Sequence, residues 1–124
     1  MHDAVTQWAK MKQSIASNRQ LNKFRAATVV FDSKSGQYYY GMNRGIRMKG
    51  DMIDGQLAEW LPKETLCYLP VGNCAEVDAV NQALKANIND LYLYTIDVEN
   101  YLPKAMCDNC IYTFADKVAE VFSH

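Results

Sequence analysis

Ala4, Trp8, Met11 and Ile15 recur every three to four positions, and this spacing predicts an amphipathic helix over residues 3–18 with one face on a core. The period then changes. RAATVVFD, residues 25–32, is rich in β-branched side chains, SKSG supplies turn residues, and QYYYGMN, residues 37–43, reads as the returning strand of a hairpin. Residues 44–72 carry Gly45, Gly50, Gly55, Pro62 and Pro70, which predicts a long excursion with one short helical turn near QLAEWL. A stretch of that length in a compact domain usually has a function. Helical periodicity returns with Val77, Val80, Leu84 and Ile88, the core face of a helix over about residues 73–86. DLYLYTID reads as a buried strand, a second helix is expected to start near Cys107, and KVAEVFS as a last short strand.

The resulting order is helix, strand, strand, helix, strand, helix, strand. That is an α/β domain with a mixed sheet, an antiparallel hairpin followed by a parallel β-α-β unit. With 124 residues, 49% of them hydrophobic, the chain supports a single domain spanning 1–124. No apolar run approaches the 20 or so residues of a membrane span, so no membrane partner is expected. The formal charge of −1 hides an asymmetry: residues 1–50 hold nine Lys or Arg against Asp3 and Asp32, a surplus of +7, whereas residues 51–124 hold four basic and twelve acidic residues, or −8. A basic half is a footprint for a polyanion, and equally what a solvated surface leaves in a sequence.

Candidate chemistry is concentrated in GNCAEVDAV, residues 72–80, and MCDNC, residues 106–110. In parallel β-α-β units the helices that follow strands begin at the same sheet edge, so these two helix starts are expected to face each other. Cys107 and Cys110, three apart, share a helical face, and Cys74 approaches from the other helix. Three thiolates would then form a tetrahedral Zn²⁺ site with Zn–S bonds of about 2.3 Å and one open position. Both helix N-termini favour ionised sulfur. Glu76, not needed as a ligand, is free to act as general base and acid. Two disulfides among Cys67, Cys74, Cys107 and Cys110 are the less natural reading for a chain of this size; a structural four-cysteine site that recruits Cys67 is the main rival to a catalytic one. Tyr38, Tyr39 and Tyr40 read as strand packing, and Trp60 as either a loop anchor or a cover over an unstacked base.

Cys74-Ala75-Glu76 together with Cys107-Asp108-Asn109-Cys110 resembles the zinc-dependent cytidine deaminase-like superfamily, whose signature is H-x-E with P-C-x-x-C and which also uses three cysteines. The resemblance implies a three-layer α/β/α domain, Zn²⁺ on Cys74, Cys107 and Cys110, proton shuttling by Glu76, and the backbone near Ala75 against the pyrimidine edge. YYGMN, ending at Asn43, is similar to the Gly-x-Asn of nucleoside deaminases, which implies a sugar contact for Asn43. The chain departs from the pattern at Met106, where a Pro is usual before C-x-x-C, and at Gly45, where a Glu follows the Asn by two residues. Within the superfamily, GNCAEVDAVNQAL is most similar to YwqJ-like bacterial deaminase toxin domains; the specific letters fall in residues 72–84 and 107–110, and the topology covers 25–123. What this implies is conversion of cytosine to uracil in single-stranded DNA or RNA by the C-terminal toxin domain of a larger secreted protein, acting in a target cell's cytoplasm, with a cognate immunity protein as partner. Alternatives are a cytoplasmic deaminase of free (deoxy)cytidine or a modified nucleotide, and a noncatalytic zinc-stabilised binding module.

Overall fold

The computed structural model describes residues 1–66, 71–86, 90–115, 117–118 and 120–121. Four strands form one sheet in the order β2-β1-β3-β4, with β1 at Ala26–Asp32, β2 at Tyr38–Met42, β3 at Leu91–Asp97 and β4 at Glu120–Val121. β1 pairs antiparallel with both β2 and β3, and β3 pairs parallel with β4. The hairpin and the parallel unit are therefore both present, joined through β1, which is buried along nearly its whole length.

Side chains alternate across β1. Ala27 and Val29 face helix α1 (His2–Ile15), whose Val5 and Ala9 close the first core with Phe24, Ile96 and Val98. Val30, with Leu91 and Leu93 of β3, faces the opposite core built on helix α5 (Ala75–Lys85) and helix α6 (Asp108–Phe114). The architecture is thus α/β/α. The excursion after β2 holds two short helices, α3 (Gly45–Lys49) and α4 (Gly55–Trp60), the second where a helical turn was expected. Leu57 and Ile46 pack on the far side of α5, and nine of the eleven α5 residues are buried as a result. Among the described residues no helix is long and apolar enough to cross a membrane.

Two expectations about the N-terminal segment need correction. The first helix ends at Ile15, and a separate helix α2 (Asn18–Lys23) leads into β1. Its buried face is Val5 and Ala9 flanked by Trp8, whereas Met11 and Ile15 are 50% and 72% exposed. At 3.6 residues per turn Ala4, Trp8, Met11 and Ile15 do share one side of the helix, but the core is met by the adjacent side, which carries Val5 and Ala9. The tyrosines serve packing: Tyr40 stacks on Trp8 with ring centroids 5.5 Å apart, and Tyr39 sits against the α5 core. Ile88 and Cys67 lie outside the described residues.

Candidate active site

β2 and β3 run parallel to each other, so the helices that follow them, α5 and α6, begin at the same sheet edge. Gly41 sets the height of α5. A Cβ there would fall inside van der Waals contact of the Ala75 carbonyl and the Ala79 amide, so the absent side chain lets the α5 backbone lie directly on β2. On the other side, Asp97 N–H donates to Leu102 O and Lys104 N–H to Thr95 O, both at 2.9 Å, folding the segment after β3 back along that strand. Cys74 occupies the N-cap position of α5 and Cys107 that of α6. Their Sγ atoms lie 2.8 Å apart, and those of Cys74, Cys107 and Cys110 all fall within 4.8 Å of one another.

The three sulfurs polarise one another. The Cys110 and Cys74 thiols, with the backbone N–H groups of Cys110 and Asn109, hold the Cys107 thiol far below its usual value. Sharing hydrogen bonds with Cys107 pushes Cys110 and Cys74 up. Three sulfurs this close together at two helix starts form a set that a cation can gather as their protons leave. A tetrahedral zinc with 2.3 Å bonds separates its sulfurs by about 3.8 Å, inside the span of this trio.

Glu76 is buried in the first turn of α5, 4% exposed. Its Oε1 accepts from the Thr95 hydroxyl at 3.3 Å, and Thr95 Oγ1 in turn lies 2.7 Å from that of Thr28. Thr28 and Thr95 are register partners on β1 and β3, and Gly41 is the partner of Thr28 on β2, so a single row across three strands underlies the start of α5. The other carboxylate oxygen, Oε2, is buried without a hydrogen-bond partner among the described residues. An orphaned acceptor of this kind is rare in folded chains and is explained where a water, ion or reacting group completes it. Burial pushes Glu76 up to about 7, and negative charge at Cys107 adds to the rise. The three converging thiols fit a zinc site, and the unfilled carboxylate oxygen of Glu76 lies on the same cavity.

A cavity of about 640 Å³ opens over these groups, a volume suited to a small-molecule ligand, for which sites run from about 300 to 1,000 Å³. Asn43, Ala75 and Glu76 line it with Cys74 and Cys107, so five of the six residues singled out from sequence border one space; Cys110, 0% exposed, lies beneath. Asn43 borders it with its carboxamide engaged: Oδ1 accepts from the Arg25 and Ala26 amides at 2.8 and 3.1 Å, and Nδ2 donates to Lys23 O at 2.7 Å. Gly45 also has a physical reason. The carboxylate of Asp78 fills the space where its Cβ would stand. Asp78, 2% exposed, accepts from Met42 N–H at 2.9 Å and from Lys49 Nζ at 2.7 Å. Trp60 packs on the α5 core and is absent from the described lining. Thr28, Thr95, Asp78 and Lys104 were not anticipated as site residues; their signal was polar letters inside otherwise apolar runs.

No protein-family model and no curated protein matches the chain. Among solved structures it superposes on the cytidine deaminase of Mycobacterium leprae with a TM-score of 0.55, over 94% of this chain and 79% of that one, at 16% identity. The fold is cytidine deaminase-like. Its three-layer order is the one expected from the C-x-E and C-x-x-C stretches, and its cysteine trio lies at the common starting edge of α5 and α6.

Proposed function

We propose that this chain is a zinc-dependent hydrolytic deaminase that converts cytosine to uracil in nucleic acid. The observation that carries the reading is Glu76, whose Oε2 is buried without a partner among the described residues, beside three converging thiols. Cys74, Cys107 and Cys110 would hold the metal; when bound, zinc supplies the Lewis acidity that makes a water nucleophilic near neutral pH. The role of Glu76 Oε2 would be to take one proton from the attacking water as a C4–O bond forms on cytosine, and to deliver it to N3. A second proton carried by the same carboxylate reaches the exocyclic amine, the C4–N bond breaks, and ammonia leaves with the C4 carbonyl formed. Ala75, 1% exposed at the cavity wall, offers backbone groups to the pyrimidine edge.

Similarity of residues 72–84 to deaminase toxin domains and the basic N-terminal half support a toxin domain of a larger secreted protein, acting on nucleic acid in a target cell and restrained by an immunity protein. Free (deoxy)cytidine is the weaker reading. The carboxylate that would follow Asn43 by two residues is Gly45, its space is filled by Asp78, and the Asn43 carboxamide already bonds the backbone of residues 23–26. The test offers purified protein cytidine, deoxycytidine, single- and double-stranded DNA, and RNA side by side, reading uracil and ammonia. Uracil is expected in single strands ahead of duplex, because the base must be unstacked to reach the site. Rapid turnover of free cytidine with no uracil in any polymer would return the protein to nucleoside chemistry.

A further inference from the structure

The mouth of the cavity is cationic. Lys23, Arg25, Arg44 and Lys104 line it, and the only acidic residues in the described lining are buried Glu76 and exposed Asp108. They come from three stretches: Lys23 and Arg25 from the α2–β1 connection, Arg44 just after β2, and Lys104 from the segment folded back on β3. All four are exposed, and none joins an ion pair among the described residues, unlike Lys49 and Lys85, which pair with Asp78 and Asp51. Four cations without an ion pair among the described residues, converging from three stretches on one opening, repel one another, and an anion at that opening would relieve the repulsion.

Arg44 adds a second observation. Its φ is 61°, in the left-handed region where residues other than glycine are uncommon, and such strain tends to persist at functional positions. Its N–H donates to Asn73 O at 2.8 Å, fastening it to the residue just before Cys74. Glycine would hold the same turn without strain. The side chain, rather than the backbone, therefore gives a reason for arginine here, and a guanidinium matches phosphate oxygens with paired donors.

We propose that this rim is a phosphate-binding subsite anchored by Arg44, and that the substrate is a cytosine on a phosphorylated sugar. The inference rests on the deaminase reading and names what its substrate must carry; a nucleoside monophosphate and a phosphodiester strand share the chemistry. The test is equilibrium binding to the zinc-loaded Glu76→Gln protein, which holds ligand without needing turnover, using deoxycytidine, dCMP and a short cytosine-containing single strand at low and high salt. Phosphate-bearing probes should bind about tenfold or more tighter than deoxycytidine, with the margin shrinking in salt. Equal affinity for dCMP and the strand identifies a mononucleotide subsite; tighter strand binding identifies a polynucleotide track. Adding Arg44→Gly should remove about tenfold of the phosphate preference, leave deoxycytidine affinity unchanged and raise the melting temperature. Lys104→Ala should weaken the same probes, and Arg47→Ala, away from the described lining, should not. Equal affinity for all three probes, no measurable binding of any, or an Arg44→Gly protein that keeps its phosphate preference would each overturn the subsite. Phosphate-selective binding by a protein whose wild-type form releases no ammonia would sink the deaminase reading and leave the subsite standing.

Discussion

Thr95 holds one oxygen of Glu76 and leaves the other open, which turns a flexible carboxylate into an aimed one. A hydrogen bond to a charged group contributes about 1.5–3 kcal/mol, so Thr95→Val should lower kcat by roughly 10- to 100-fold while KM and zinc content stay near wild type. Thr95→Ser, which keeps the hydroxyl, should recover most of the rate. Steady-state kinetics in which Val and Ser are equally impaired would reduce Thr95 to packing. The thiols carry a separate expectation: metal analysis should find about one zinc per chain, lost in Cys107→Ser and kept in Cys67→Ser. At this scale Cys74, Glu76, Cys107 and Cys110 were legible, because their chemistry lies in letter types and short spacings. Thr28 and Thr95 were not. Their meeting depends on the β1–β3 register, and nothing within either strand names the residue it will face.

α5 carries half of the site and is enclosed on nearly every side, so its neighbours tolerate little change. Gly41→Ala would drive a methyl group into the α5 backbone and should destabilise the fold by about 1–3 kcal/mol, measured by thermal or denaturant unfolding. Gly55→Ala, with open space around it, is the control and should change little. The excursion after β2 is fastened to the site helices by three buried polar residues. Asp78 takes Lys49, Asn81 accepts from Asp54 N–H at 2.7 Å and donates to Met52 O at 3.0 Å, and Asn109 accepts from Leu66 N–H at 2.7 Å. Lys49→Met should therefore cost about 1–3 kcal/mol, discounted from a fully buried pair because the lysine is 44% exposed, whereas Arg47→Met should stay within about 0.5 kcal/mol. Equal losses for the two would show that the Asp78 pair contributes nothing. Gly and Pro spacing announced an excursion and its helical turn near Trp60. It did not announce α3 or these anchors, since Asp78 and Asn81 sit in a helix whose periodicity gives no hint that its outer face is also covered.

For the whole molecule, the metal would tie the start of α5 to the start of α6, two elements that otherwise meet through apolar packing. Stability should depend on zinc by mass action: about 4 kcal/mol at a thousandfold excess over Kd, so chelation should lower the melting temperature and zinc should restore it. A melting temperature indifferent to both would argue against a bound metal. The α/β class and the hairpin-plus-parallel plan could be read from the switch between periods of 3.6 and 2. The placement of β1 between β2 and β3 could not, because the β2-to-β3 crossover leaves open which hairpin strand β3 will join. The central claim is that the Cys74–Cys107–Cys110 trio and Glu76 form one deaminating centre. It is tested most directly by following uracil and ammonia from a cytosine-containing single strand with wild-type and Glu76→Gln proteins whose zinc content has been measured. Stoichiometric uracil and ammonia from wild type, with a Glu76→Gln rate about 10²- to 10⁴-fold lower at unchanged zinc, is the expected result; equal rates from the two proteins would contradict it.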